Sequence, residues 1–372
     1  MVTIKEIAKY CNVSIATVSN IINGKPNASK ETKERVLQAI EELNYTPNYI
    51  AKNLKTRRTR TIGVVVEDIT VFCAPEIIDG ITKCCEEKGY HILLTNLRLY
   101  KKFGDSYYDN EKFFQMVRRE AKELIAKQVD GIVYVTAHER TLKCLPENLT
   151  VPASMAYGYT KSENYPSVVV DDKKGAYEIV NYVISMGHKN IGVITGKERS
   201  IHTHDRLLGY QKALYDHSLF FNPDAIVEGG WTREGGYEAT DRLLEQKVTA
   251  IFCMNDIMAG GVYDRLEELG LVPGQDISVV GFDNRELSNY YKPPLTTTAL
   301  PLYEIGYTAC ANVIEEVESE SEESSKKNDA AEEGSAAQKT KESEKNTAGK
   351  VVEIPEMCKL LIRQSVKDIR NE

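Results

Sequence analysis

The stretch VSIATVSNIINGKP, residues 13–26, decides how the N-terminal part of this chain is organised. After Ser14, apolar residues recur at helical spacing, at positions 15, 18, 21 and 22. Small or polar residues fill most of the other positions, without the Lys and Glu that usually solvate the outer face of a helix. This small, hydrogen-bonding face needs a functional explanation.

The flanking residues complete a three-helix pattern. Thr3-Ile-Lys-Glu6 is a capping box that begins a first helix, and Cys11-Asn12-Val13 is a tight turn in which Asn12 suits the left-handed conformation. Ser14 caps the second helix and Ser29 caps a third. The third helix has one apolar stripe, formed by Val36, Leu37, Ile40 and Leu43. The pattern predicts a helix-turn-helix module.

A recognition helix must enter a major groove about 12 Å wide, which favours small residues with hydroxyl and amide groups. Residues 1–60 hold 11 Lys and Arg against 5 Asp and Glu, whereas the remaining 312 residues hold 36 against 50. A basic head on an acidic body indicates that the head meets a polyanion. A plain three-helix cap with a polar face is the alternative.

The composition favours a chain of two or three domains: 372 residues, 42% hydrophobic and 27% charged. No run of 18 apolar residues occurs, and VTIKEIAKY follows Met1 without a signal-peptide pattern. We therefore expect a cytoplasmic protein with no membrane segment. The eight Cys include no CxxC pair, which favours reduced thiols over a disulfide framework.

The body has the pattern of an α/β fold. Helical stretches, among them 109–127, 172–187 and 256–269, alternate with apolar β-branched runs at 62–67, 91–96, 131–135, 167–171, 190–195, 250–255 and 277–282. Buried strands that alternate with helices predict parallel sheets covered on both faces. About 300 residues favour two such lobes over one.

Between head and body lies NYIAKNLKTRR, which begins at residue 48 and carries Lys52, Lys55 and a basic tail. A short segment of this kind is marginal as an isolated helix because nucleation is costly. We expect residues 48–56 to be disordered in the free protein and helical only with a partner.

The whole run from Thr3 to Val66 resembles the N-terminus of lactose-repressor/galactose-repressor (LacI/GalR) family regulators. Later stretches, MGHKNIGVITG, DRLLGY, MNDIMAGG, DISVVGFDN and PPLTTT, are similar to segments of that family's effector domain. The resemblance implies a helix-turn-helix DNA-binding domain at 1–47 and a hinge helix and linker at 48–60. Residues 61–372 would form a periplasmic-binding-protein-like domain of two doubly wound lobes, for effector binding and dimerisation.

The resemblance also implies the DNA contacts. Ile15, Ala16 and Asn20 fall at base-reading positions, and Leu54 matches the hinge leucine that enters the minor groove. Many relatives carry Arg where this chain has Asn20, and Asn suits adenine rather than guanine. The complete set of implied DNA-binding residues is Thr3, Ser14, Ile15, Ala16, Thr17, Ser19, Asn20, Asn23, Tyr45, Ala51, Leu54 and Lys55. The implied partners are a pseudo-palindromic double-stranded operator and a second copy of the chain.

A small effector would bind between the lobes, which three chain crossings would join. We expect these crossings near Gly158–Tyr165, near Asp283–Asn289 and just after a helix that ends near Val317. The residues implied to bind the effector are Phe72, Cys73, Tyr157, Arg206, Trp231, Asn255 and Asp283. Trp231, the only tryptophan, would be the stacking platform.

Enzymatic and metal sites lack their signatures. Neither GxGxxG after the first strand nor GxxxxGK[ST] occurs, and we expect no cofactor. His202-Thr-His204-Asp205 has metal-like spacing but no further ligands at recognisable spacing, so we interpret it as a loop at the lip of a lobe, with Arg206 as the better ligand contact. We interpret Asp171 and Asp172 as a strand end and a helix cap, since adjacent strand-end residues point apart.

Residues 315–350 hold 11 acidic residues, 6 basic residues and 6 Ser, and no aromatic residue. This composition predicts disorder. A tolerated surface insertion is favoured over a regulatory acidic-serine segment, and the last strand is expected within residues 359–364.

Two hypotheses follow. The first is a sequence-specific transcriptional repressor whose operator affinity is switched by a sugar or related metabolite. The alternative is a cytosolic solute-binding or sugar-processing protein with an incidental helical cap. The absence of an export signal argues against transport, and the hinge segment argues against an incidental cap.

Overall fold

The computed structural model describes residues 2–22, 24, 26, 28–45, 58–104, 106–142, 145–146, 148–160, 165–332, 351–353 and 358–370. Its contacts divide the chain into two compact units, Met1–Thr59 and Arg60–Glu372. The first unit is a small helical head, and the second is an α/β body.

The head contains helices α1 (Ile4–Tyr10), α2 (Ile15–Ile22) and α3 (Lys30–Glu42). The predicted capping box is present at the start of α1. The Thr3 backbone N–H donates to Glu6 Oε2 over 2.7 Å, and the Glu6 backbone N–H donates to the Thr3 hydroxyl over 3.4 Å. The first helix therefore begins where the sequence predicted.

The other local signals in the head are also confirmed. Asn12 adopts a left-handed φ of 48° in the turn before α2. The Ser14 hydroxyl accepts from the backbone N–H of Thr17 over 3.0 Å, and the Ser29 hydroxyl accepts from that of Thr32 over 3.3 Å. These side chains satisfy backbone donors that would otherwise lack a partner at each helix start.

The head core differs from the predicted stripe at one position. Its fully buried members are Ile7, Ala8, Cys11, Val18, Ile21, Val36 and Ala39. Leu37 is 43% exposed, so its assignment to the stripe was wrong. Successive helical residues are rotated by about 100°, so Leu37 points away from the direction of Val36 while Ala39 and Ile40 return to it.

The first sheet of the body contains six parallel strands in the order β13-β7-β5-β3-β1-β2. Their bounds are β1 Thr61–Val66, β2 His91–Asn96, β3 Gly131–Val135, β5 Ala153–Ala156, β7 Ser167–Val169 and β13 Val351–Glu353. A short separate ladder pairs β4 (Thr141–Leu142) with β6 (Tyr159–Thr160). This sheet forms the first lobe.

The second sheet has the order β11-β10-β8-β9 and is also parallel. Its strands are β8 Ile191–Thr195, β9 Ile226–Glu228, β10 Ala250–Cys253 and β11 Ser278–Val280. An antiparallel pair, β12 (Thr297–Ala299) and β14 (Lys359–Leu361), is joined to the β11 side by isolated bridges. Together these strands form the second lobe.

Helices cover both sheets. Those of the first lobe are α4 Ala74–Lys88, α5 Leu99–Phe103, α6 Glu111–Ala126 and α11 Leu302–Glu332. Those of the second lobe are α7 Asp172–Ser185, α8 Ile201–Asp216, α9 Arg233–Glu245 and α10 Asp256–Glu268. Single 3-10 turns lie at Ser106–Asp109, Pro223–Ala225 and Glu286–Asn289. The seven predicted strands and three named helices are confirmed within a few residues, whereas the short strands β4, β5, β6, β9, β12 and β13 were not predicted.

Helices α4 and α11 pack with their backbones in contact at two glycines. A Cβ atom on Gly80 would lie 2.0 Å from the carbonyl oxygen of Tyr303, and one on Gly306 would lie 1.9 Å from that of Ile77. No larger residue fits at either position without separating the helices.

The structure corrects all three predicted crossing positions. Because β7 still belongs to the first sheet and α7 packs in the second lobe, the chain first crosses at residues 170–171, not near Gly158–Tyr165. The second crossing lies at residues 300–301, between β12 and α11, not near Asp283–Asn289. The third crossing lies between β13 and β14 and not just after Val317. At each crossing, the chain adds one more strand to the lobe than we expected before it leaves that lobe.

The expectation of disorder from residue 315 is wrong as far as Glu332, because α11 is continuous from Leu302 to that residue. Glu, Lys and Ala are strong helix formers, and adding residues to a helix that tertiary packing has already nucleated is inexpensive. Residues 333–350 lie outside the described part of the chain.

The seven cysteines in the described residues are free, and six of them are buried, as predicted for small core residues. Among the helices that the structure describes, none combines the length and the apolar content needed to cross a bilayer.

Candidate functional site

Helix α2 presents the predicted recognition face. Val18 and Ile21 are buried in the head core, while Ile15 and Ala16 are exposed. The remaining predicted contact residues on this helix, Thr17, Ser19 and Asn20, are partly exposed. Ile15, although apolar and at helical spacing, is 45% exposed and therefore available for contact.

Other predicted DNA-binding residues have structural contacts of their own. Thr3 and Ser14 are exposed cap residues, and Tyr45 packs partly buried against the head core. Asn23, Ala51, Leu54, Lys55 and the whole segment 48–56 lie outside the described residues, so the expected folding of the hinge stays a prediction.

In the body, Arg206 lies at the centre of the predicted effector cleft. Its Nε donates to Asp172 Oδ1 over 2.7 Å, and its Nη1 donates to the carbonyl oxygen of Met254 and to Asp283 Oδ1, the latter over 3.4 Å. Its guanidinium carbon lies 3.9 Å from the ring centroid of Phe282. Arg206 is 2% exposed, so it holds this part of the second lobe together as well as facing the cleft.

Trp231 lies beside this guanidinium, with 5.7 Å between the Arg206 guanidinium carbon and the ring. Its backbone is left-handed, with φ 74°. A Cβ on Gly196 would lie 1.9 Å from the indole, so the ring rests on a position that requires glycine. Asn255 Nδ2 donates to the carbonyl oxygen of Trp231 over 3.3 Å, and its Oδ1 caps α10 through the backbone N–H of Met258.

Asp283 completes the group from the second lobe. Its backbone is also left-handed, with φ 100°, and such conformations cluster at binding sites. Burial raises the pKa of Asp283 to about 6, although the charge of Arg206 acts to lower it. The following 3-10 helix begins at Glu286 after Arg285, so Asp283 is not its N-cap.

The first lobe brings Phe72, Cys73 and Tyr157 to the same cleft. The Arg285 guanidinium carbon lies 4.5 Å from the Phe72 ring centroid, which is a contact between the lobes. Burial, and then the charge of Asp283, raises the pKa of the Cys73 thiol, which donates to the Ala137 carbonyl oxygen over 3.5 Å. Tyr157 is buried with a left-handed φ of 63°. All seven predicted effector residues therefore border one region.

Sequence reasoning missed three residues of this region: Glu139, Asp172 and His202. Asp171, which was interpreted as the strand end, caps α7 through the backbone N–H of Lys174, so the cap lies one residue earlier than predicted. Asp172, by contrast, turns inward and accepts hydrogen bonds from Arg206 and from His202 Nδ1. The two aspartates do point apart, and for that reason one of them enters the cleft.

The interpretation of residues 202–205 as a loop was also wrong, because they form the first turn of α8. His202 is buried, with its ring 5.5 Å from that of Tyr157 and 6.4 Å from that of Trp231. His204 is exposed on another side of the helix, so the two imidazoles do not converge. Residues 202 and 206, one turn apart, face the same way.

Glu139 follows β3 and approaches His202 from the first lobe. Its Oε1 accepts from the backbone N–H of Val170 over 2.6 Å, and its Oε2 lies 3.7 Å from His202 Nδ1. The neighbouring Arg140 forms a buried ion pair with Glu67, which also accepts from the backbone N–H of Ala137 over 2.8 Å. This network holds the loop that carries Glu139 in place.

Electrostatic coupling within the cluster is strong. Although burial acts to raise the pKa of Asp172, the charges of Arg206 and His202 hold it below its usual range. Burial acts to lower the pKa of His202, but Asp172 and Glu139 outweigh it and raise that pKa. Burial raises the pKa of Glu139 to about 8, against the opposing charges of His202 and Arg206.

Ligand atoms of Glu139, Asp172 and His202 lie within 4.8 Å of one another, a separation that a metal ion could bridge. However, Arg206 already supplies a positive charge to Asp172 at 2.7 Å. The cluster is better suited to hydrogen bonding a polar molecule than to holding a resident metal ion.

A helix-turn-helix head followed by a two-lobed body with a polar cleft defines the class of DNA-binding proteins with a periplasmic-binding-protein-like domain. Comparison with known proteins agrees with this class. Residues 3–48 match the family described as bacterial regulatory proteins, lacI family, and residues 180–333 match the periplasmic binding protein-like domain.

Relatives extend the match over most of the chain. It is 35% identical over 316 residues to catabolite control protein A of Priestia megaterium, covering 83% of this chain and 90% of that protein. The chain is also 34% identical over 328 residues to the HTH-type transcriptional repressor PurR of Pasteurella multocida, and this match covers 87% of this chain and 94% of that protein. This chain belongs to the LacI family of transcriptional regulators.

Solved structures have the same fold. The lac repressor dimer bound to operator and the anti-inducer ONPF aligns with a TM-score of 0.71 at 24% identity, over 98% of this chain and 99% of that one. A LacI family regulator from Enterococcus faecium with bound ribose aligns with a TM-score of 0.58 at 25% identity, over 83% and 100%.

Proposed function

We propose that this protein is a cytoplasmic transcriptional repressor that binds a pseudo-palindromic operator as a homodimer. A small polar ligand, a sugar or a related metabolite, binds between the two lobes and switches operator affinity. The protein acts by binding, not by catalysis. The alternative of a solute-binding protein with an incidental cap is not favoured, because residues 3–48 match a DNA-binding family.

The observation that carries the DNA-binding part is the outer face of α2. Ala16 is small and exposed, Ile15 is 45% exposed, and the partly exposed Asn20 offers an amide with donor and acceptor together. Buried Val18 and Ile21 hold the opposite face against the head core. Such a helix fits a major groove, and an asparagine amide pairs well with adenine N6 and N7.

Asn20→Ala tests this part by fluorescence anisotropy and by binding-site selection. We expect a loss of about 1 to 3 kcal/mol at the preferred site and relaxed preference at one position of each half-site. Gln38→Ala is the matched control, because Gln38 is an exposed amide on α3 that hydrogen-bonds Glu42. Unchanged selection by the Asn20→Ala protein would count against the groove assignment.

The observation that carries the ligand-binding part is the convergence of charged, amide and aromatic groups from both lobes. Arg206, Asn255 and Asp283 come from the second lobe, and Phe72 and Tyr157 come from the first. A ligand that contacts both sets links lobe closure to occupancy.

Trp231 gives a direct measurement, because it is the only tryptophan in the chain and lies in the cleft. A true effector should change its fluorescence saturably and alter operator affinity, and the operator should alter effector affinity by the same factor. A ligand that changes fluorescence without this reciprocal effect would refute the coupling.

A further inference from the structure

One carboxyl oxygen of Glu139 lies buried in the cleft without a hydrogen-bond partner. The residue is 1% exposed, and its Oε1 is occupied by the backbone N–H of Val170. Its Oε2 is buried and accepts no hydrogen bond, and the Nε2 of the neighbouring His202 is also buried and unpartnered. A buried carboxylate oxygen without a donor is costly, so a bound molecule is its natural partner.

The two cations that act on Glu139, His202 and Arg206, are shared with other carboxylates. Arg206 donates to Asp172 and Asp283, and His202 Nδ1 bonds Asp172. Three carboxylates therefore share the Arg206 guanidinium and the His202 imidazole, and the charge of Arg285 also acts on Asp283. Burial raises the pKa of Glu139 to about 8, so this carboxyl is held mostly in its neutral form at neutral pH.

Two aromatic rings lie close to the imidazole of His202. The ring centroids of Tyr157 and Trp231 lie 5.5 Å and 6.4 Å from that of His202. The faces of such rings attract positive charge. A negatively charged substituent would instead lie against the Glu139, Asp172 and Asp283 carboxyl groups.

We infer that the ligand of this cleft is an amine-bearing polyol, such as an amino sugar, whose ammonium group binds Glu139 Oε2 between the two lobes. This inference rests on the proposed function and narrows it to cationic ligands. When the ammonium group binds, the neutral Glu139 carboxyl releases its proton to the solvent. The resulting carboxylate then forms an ion pair with the ammonium group. The groups that face Glu139 in this exchange are His202 and Arg206 from α8, Asp172 from α7 and Tyr157.

The test uses the full chain and calorimetric titration with glucosamine, galactosamine and mannosamine. The comparison compounds are glucose, galactose, mannose, glucose 6-phosphate and zinc chloride. We expect at least one amino sugar to bind about tenfold more tightly than its neutral parent, because a charge-assisted hydrogen bond is roughly twice as strong as a neutral one. Binding of the amino sugar should also release a proton to the buffer. The measured heat of binding should therefore change with the ionisation enthalpy of the buffer.

In the Glu139→Gln protein, the amino sugar and its neutral parent should bind with about equal affinity, and binding should release no proton. Glu123 is an exposed carboxylate on α6, so Glu123→Gln should change neither result. Equal or tighter binding of the neutral or phosphorylated sugars, or no binding by any amine, overturns the inference. So does binding of zinc alone that is lost in Glu139→Gln. If one of those other compounds binds and shifts operator affinity, the proposed function stands without this inference.

Discussion

Replacing Arg206 by Met should destabilise the second lobe strongly. The change removes the 2.7 Å hydrogen bond to Asp172, the bond to the Met254 carbonyl and the ion pair with Asp283. It leaves the Asp172 carboxylate, whose side chain is completely buried, with His202 alone. Removing one partner of a buried ion pair typically costs about 3 to 5 kcal/mol.

The matched control is Arg233→Met. Arg233 forms a two-pronged ion pair with Asp264, at 2.5 and 2.6 Å, but the two side chains are 49% and 41% exposed. Exposed pairs contribute only about 0 to 1 kcal/mol. The two variants therefore separate the effect of burial from that of the ion pair itself.

Urea unfolding followed by the fluorescence of Trp231 is the assay, because this ring lies 5.7 Å from the Arg206 guanidinium. Asp172→Asn in the Arg206→Met background removes the orphaned charge, so the double variant should lose less than the sum of the single losses, by about 2 kcal/mol. If Arg206→Met costs no more than Arg233→Met, the argument from buried charge is refuted.

Three further outcomes are expected. Ser14→Ala removes the cap on α2 and should weaken it by about 1 kcal/mol, seen as faster amide hydrogen exchange over residues 15–22, with exchange unchanged in Ser319→Ala. Because the folded pKa of Glu139, about 8, exceeds its ordinary 4.5, the stability from its neutral form is lost as pH rises through about 8. The free energy of unfolding should therefore fall between about pH 5 and pH 8 more in the wild type than in Glu139→Gln, and parallel curves would contradict this. Gly306→Ala forces α4 and α11 apart and should cost about 1 to 3 kcal/mol in urea unfolding, so an unchanged midpoint would show that the helices yield freely.

The candidate cleft was only partly predictable. Arg206, Trp231, Asn255 and Asp283 were identified through resemblance, and the structure places them together. Glu139, which follows β3, has no local signal that distinguishes it from a surface glutamate.

The tertiary structure changed the interpretation of Asp172 and His202. Adjacent carboxylates and an HxH spacing are local patterns with several meanings, and the meaning depends on which side chain faces the other lobe. A backbone that turns into α7 directs Asp172 inward, and the first turn of α8 brings His202 to it.

Sequence alone determined the features that depend on neighbouring residues: the caps at Thr3, Ser14 and Ser29, the turn at Asn12, and the alternation of strands with helices. Hydrogen bonds across three residues and the periodicity of apolar side chains act within a few ångströms of chain, so local patterns predict them. Only the tertiary structure decided the crossing points and the pairing of Val351–Glu353 with Ser167–Val169, strands about 180 residues apart. Those depend on which distant surfaces exclude water together, and that is a property of the packed lobes rather than of any one segment.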